Sequence, residues 1–127
     1  MPTGAAGINT ENRNMFMQME GVSSEVGTGT ASSAAVTINK RFGIITSEAL
    51  TTAQNAVATV TLTNSEVAAG DLVLAIVSNG TNTQGTPTLT SHTVTASTVV
   101  FRVSNLHASA EALNGTIKIH FMVVKAL

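Results

Sequence analysis

The sequence predicts an all-β protein: a jelly-roll-like antiparallel β-sandwich preceded by an extended N-terminal arm. Three observations carry that expectation. From Phe42 to Lys125 the chain is dominated by Val, Ile and Thr in short runs, many with the period-two alternation of strands that bury one face. Gly, Asn and Pro turn signals separate these runs at spacings of roughly ten to twenty residues, the rhythm of a sandwich or barrel. Residues 1–35 instead hold GAAG, GTGT and ASSAA, compositions that bury too little to offset the entropy of an ordered backbone. The expected division is therefore an arm over 1–35 and a sandwich domain over 36–127.

The arm contains one apolar island, Met15-Phe16-Met17-Gln18-Met19. Methionine is pliable and fills irregular gaps, so Met15, Phe16, Met17 and Met19 suit an anchor for a partner's groove. The plainer alternative is a strand that completes the protein's own sheet.

In the body, Val36 and Ile38 alternate with Thr37 and Asn39, and a strand continues from Phe42 to Ser47. Over Val57–Thr63, Ala58, Val60 and Leu62 share one face and Thr59, Thr61 and Thr63 the other, a half-buried pattern with threonine on the wet side. Leu72-Val73-Leu74-Ala75-Ile76-Val77 has no polar alternation. Both of its faces should be covered, either as a central strand or at a subunit interface. That makes Leu72, Leu74 and Ile76 candidate interface residues, with Phe121 on the last strand a fourth.

Asn79 to Pro87 reads as a loop, because Asn and Gly accept positive φ and Pro cannot join a ladder. Thr88–Thr95 and Thr98–Val103 form an expected hairpin across Ala96-Ser97, with Val99, Phe101 and Val103 on one face. SNLHASAEAL, residues 104–113, breaks the strand pattern, and ASAEAL could close one helical turn. Asn114-Gly115 is a tight-turn signal. Along Thr116–Val124, Ile117, Ile119, Phe121 and Val123 should point inward, opposite Lys118, His120 and Met122. Six strands, with one or two more from the leading segment, suit a jelly roll.

Composition narrows the function. Six Lys and Arg against seven Asp and Glu leave a net charge of −1, with only Lys40-Arg41 adjacent among the basic residues. Such a chain has no field to draw in nucleic acid or an anionic membrane. It contains no Trp or Tyr to stack bases. It also has no cysteine, consistent with assembly in a reducing compartment. No basic start leads into an apolar core at the N-terminus, and no run of about 20 apolar residues could span a bilayer. Synthesis in the cytoplasm and no membrane partner are expected.

His92, His107 and His120 share no ligand spacing, so no metal or other cofactor is expected. No nucleophile, base and oxyanion set is present, and Glu66 and Asp71, which flank one loop, more simply solubilise a turn. The expectation is that the protein is not an enzyme. Asn79-Gly80-Thr81 and Asn114-Gly115-Thr116 match glycosylation sequons but read first as turns. Small side chains and few large apolar ones leave the monomer short of core. Contacts between subunits are expected to complete it.

Three phrases recur together in a family of small structural proteins of tailed bacteriophages: LTTA…TLTN, NGTN..GTP and N.HAS..LNGTI.I.F. Here they are Leu50–Ala53 with Thr61–Asn64, Asn79–Pro87, and Asn105–Phe121. Over about two thirds of its length the chain resembles capsid cement (decoration) proteins; residues 1–41 lie outside the match. The resemblance implies a structural virion protein on the outer surface of the capsid, made in the bacterial host's cytoplasm, that binds the phage's major capsid protein and stabilises contacts between its subunits. It further implies a homo-oligomer, with a dimer favoured and a trimer as the alternative. The competing expectation is a receptor- or carbohydrate-binding β-module of a phage fibre or adhesin, against which stands the lack of Trp and Tyr for sugar stacking.

Overall fold

The computed structural model describes residues 26–126. They form eight strands and no helix: β1 Val26–Thr30, β2 Ala35–Thr37, β3 Phe42–Thr46, β4 Val57–Thr63, β5 Leu72–Asn79, β6 Pro87–Thr95, β7 Thr98–Asn105 and β8 Ile117–Val124. The strands make two four-stranded sheets, ordered β1-β3-β8-β5 and β2-β4-β7-β6. The all-β sandwich is as expected.

The sheets are mixed rather than antiparallel. β1 runs parallel to β3 and β2 parallel to β4, while the other pairs are antiparallel. The reason is the path of the chain. Every connection except the β6–β7 hairpin crosses from one sheet to the other, and two crossings in succession return the chain to its first sheet in its original direction.

Strand structure is already present at Val26, inside the segment expected to be an arm. Gly27 and Gly29 are sheet residues. A Cβ on Gly27 would lie 2.4 Å from Ile38 Cγ2, and one on Gly29 would lie 2.7 Å from Val36 Cγ2. These glycines leave room at the sandwich's edge for the Val36 and Ile38 side chains to pack over β1. In ASSAA, Ser32 and Ala35 exchange backbone hydrogen bonds of 2.9 and 3.0 Å around Ser33 and Ala34, whose φ values are 51° and 61°. Two consecutive positive φ values are the mark of a type I′ turn.

The core lies between the sheets. Val60, Leu62, Val99, Phe101 and Val103 on one side meet Ile45, Val73, Ile117, Ile119, Phe121 and Val123 on the other. Phe101 and Phe121 face each other across the gap with ring centroids 6.5 Å apart. The inward faces expected for β4, β7 and β8 are therefore the observed ones. Phe121 is only 4% exposed, which makes it a core residue and not an interface residue.

For β5 the structure rules out the first of the two expected positions, a central strand. It is the outermost strand of its sheet. Val73 is buried against the core, while Leu72, Leu74 and Ile76 point out and are 55%, 48% and 66% exposed. Residues 104–113 form no helical turn, because their polar groups go elsewhere. Asn105, fully buried, donates through Nδ2 to Thr52 O and Glu111 O and accepts at Oδ1 from the backbone N–H groups of Thr86 and His107. Leu113 is buried beside it, its N–H donating to Thr52 O at 3.0 Å.

At the opposite end Asp71 fastens the last strand. Its Oδ1 accepts from Ala126 N at 3.0 Å, and its Oδ2 accepts from Ala68 N and from the Lys125 ammonium. These donors, the Ala126 N–H foremost and then Lys125 and the Ala68 N–H, hold the carboxyl down at about 2.

Candidate interaction face

The two sheets differ in what they turn outward. On the β2-β4-β7-β6 sheet the outer rows are Val57, Ser104 and Thr88, then Thr59, Arg102 and Ser91, then Thr61, Val100 and Thr93, then Thr63, Thr98 and Thr95, with Val57 the one strongly exposed apolar side chain among them. Arg102 lies along this face, its Nη1 donating to Thr93 Oγ1 at 2.9 Å. Threonine and serine supply hydroxyls that water can satisfy. This face is suited to solvent.

The outer rows of the other sheet are mostly apolar. Pairing registers place Leu72 beside Val124, then Val26, Phe42, Met122 and Leu74 in one row, and Thr28, Ile44, His120 and Ile76 in the next. Only the row of Thr30, Thr46, Lys118 and Ser78 is polar throughout. Leu72, Leu74, Ile76, Val26 and Val124 are all exposed, while Phe42, Ile44 and Met122 are half-buried by their neighbours. Between β5 and β8 a shallow depression opens, with Leu74, Ile76, His120 and Met122 around it. A contiguous apolar patch of this kind is where a partner sits more often than water does.

Three groupings on the described residues resemble chemical sites and are better explained as braces. His120 Nε2 lies 3.0 Å from Ser78 Oγ on the apolar face, but no carboxylate is hydrogen-bonded to the ring. His107 Nδ1 lies 3.1 Å from Ser109 Oγ, with Glu111 Oε1 3.7 Å from Nε2. That last separation is too long for a hydrogen bond. Glu111 Oε1 instead accepts from Gly85 N at 2.6 Å, tying two loops together. Asp71 and Lys125 close the sandwich end. Among the described residues no three His, Cys, Asp or Glu side chains come together as a metal site.

Of the residues expected to form contacts, Leu72, Leu74 and Ile76 share one exposed face, and Phe121 lies beneath it in the core. Met15, Phe16, Met17 and Met19 lie outside the described residues. Sequence reasoning missed the rest of the face: Val26, Phe42, Ile44, Met122 and Val124. The available signal was the outward set of β8, where Met122 and Val124 stand opposite the inward positions without being polar.

The two NGT turns meet. Thr81 N donates to Thr116 Oγ1 and Thr116 N to Thr81 Oγ1, both at 2.9 Å, and Gly80 N and Asn82 N both donate to Thr116 O. Leu50 N donates to Gly115 O at 2.9 Å, and Asn114 N donates to Asn82 Oδ1 at 2.8 Å. Parts of all three phrases therefore converge at one end of the sandwich, where they hold the loops to one another. Searches against protein-family models, curated proteins and solved structures return no match for this chain.

Proposed function

We propose that the protein is a capsid cement protein of a tailed bacteriophage, a jelly-roll-like sandwich that attaches to the outside of the head and stabilises contacts between major capsid protein subunits. The observation that carries the proposal is the contrast between the sandwich's two outer faces. One is mostly hydroxylated, with Val57 and Val100 its apolar members, and the other presents Leu72, Leu74, Ile76, Phe42, Ile44, Met122 and Val124. A cement protein needs no catalytic group. It needs a surface that gains by leaving water and is repeated over many equivalent sites.

In this reading the apolar face lies against the coat, and the Met15–Met19 island of the leading arm adds a second anchor. No cofactor, nucleic acid or membrane takes part. The test is co-sedimentation with empty heads of the phage that encodes the chain. Occupancy should saturate, persist at about 1 M salt because few charges contribute, and fall with Leu74→Ser or Ile76→Ser but not with Thr93→Ala. Truncation to residue 25, which spares β1, should weaken attachment further. Occupancy unchanged by both face variants would overturn the assignment of this surface, and no sedimentation with heads at all would overturn the function.

A further inference from the structure

Among the described residues the sandwich has four sheet edges, and three carry features that discourage pairing. β1 is five residues long and alternates with glycine. β2 is three residues long and follows a tight turn. β6 opens with Pro87, which has no N–H to give, and its register shifts between Leu89 and Ser91. Short strands, prolines and bulges of this kind are how sheet proteins keep their edges from pairing with other chains.

β5 has none of these. It runs for eight residues, LVLAIVSN, in unbroken register with β8 from Leu72↔Val124 to Asn79↔Ile117. It contains no charge, proline or glycine. Its outward side chains are the most exposed large apolar residues of the sheet, and no strand among the described residues pairs with its other side.

We infer that the free edge of β5 pairs antiparallel with β5 of a second copy, joining two four-stranded sheets into one of eight across a two-fold axis. Symmetry makes the edge its own complement. A two-fold axis perpendicular to the sheet runs a strand antiparallel to itself and turns the same face of both copies to the same side. Leu72, Leu74 and Ile76 of one copy then neighbour the same residues of the other, and the two apolar faces become continuous. No like charges meet across the axis, because β5 carries none. β6 flanks the same side of the sandwich, but Pro87 and the bulge stop it from extending the other sheet. The inference does not depend on shell binding and is tested without shells.

The full chain should sediment as a dimer over about 1–100 µM. Because the native chain has no cysteine, single substitutions Leu72→Cys, Leu74→Cys and Ile76→Cys report the axis directly. Opposed Cα atoms in such a pair lie about 4.5–5.5 Å apart, within disulfide reach. Mild oxidation should give covalent dimers that peak at one β5 position and fall away on either side. Thr28→Cys on β1 and Thr93→Cys on β6 should stay uncross-linked. Ile76→Lys should weaken dimerisation about tenfold or more, by placing like charges beside the axis. Since Ile76 is largely exposed, the strand signal in circular dichroism should be unchanged. A monomer at all concentrations, a trimer, or a dimer that cross-links through β1 or β6 and not β5 would overturn the inference.

Discussion

Two isoleucines in neighbouring strands of one sheet should behave in opposite ways. Ile119 on β8 is fully buried and points into the core, whereas Ile76 on β5 is 66% exposed and points away from it. Truncating a buried isoleucine to alanine removes its transfer free energy and leaves a cavity, together about 2–5 kcal/mol. At Ile76 only about a third of the side chain is shielded. Since full burial contributes about 1.5–3 kcal/mol, the loss in the monomer should be about 0.5–1 kcal/mol. With a urea dependence of about 2 kcal/mol per molar, Ile119→Ala should lower the unfolding midpoint by about 1–2.5 M and Ile76→Ala by about 0.25–0.5 M. The measurement belongs at protein concentrations low enough that the midpoint no longer depends on concentration. Occupancy of empty heads should rank the other way: Ile76→Ala reduces it, while Ile119→Ala, where still folded, leaves the face intact. Equal midpoint shifts for the two variants would refute the division of this sheet into a core side and a contact side.

Other outcomes follow from single groups. Asn105→Ala removes the partner of Glu111 O and of the Thr86 and His107 N–H groups, while Thr52 O keeps the Leu113 N–H, and should cost about 2–4 kcal/mol by urea denaturation; a loss below about 1 kcal/mol would mean the loop end is held some other way. Asp71, lowered to about 2, contributes stability that is complete above the ordinary carboxylate value of 3.8 and is lost as pH falls through about 2. Asp71→Asn should therefore flatten the pH dependence of the melting temperature between about pH 4 and 2, and an unchanged slope would assign it to other acids. Ser33→Asn with Ala34→Gly should relieve two left-handed residues and raise stability by about 1–2 kcal/mol; destabilisation would contradict the turn.

What the sequence made legible was whatever a single strand reveals about itself. Alternation over Val57–Thr63 and Ile117–Val124 identified the inward residues, and the Ala96-Ser97 hairpin followed from two strands with only two residues between them. The failures share one cause. Gly27 and Gly29 look like linker composition until Val36 and Ile38 are seen to need the space of their missing side chains. Ser33 and Ala34 carry no Asn-Gly signature, so their turn is imposed by the strands it joins. Leu72–Val77 reads as doubly buried because an apolar run records that both faces avoid water, without recording whether the cover comes from the same chain or from another.

The local pattern therefore determined, by itself, that this is a β-protein, which strands it has in the body, and which side of β4, β7 and β8 faces the core. Those are consequences of a two-residue repeat, which each strand carries internally. Tertiary structure alone decided strand direction, the mixed pairing, and the position of β5 at the rim with Leu72, Leu74 and Ile76 uncovered. These depend on which segments lie side by side, a property of distant pairs that no single stretch of residues encodes.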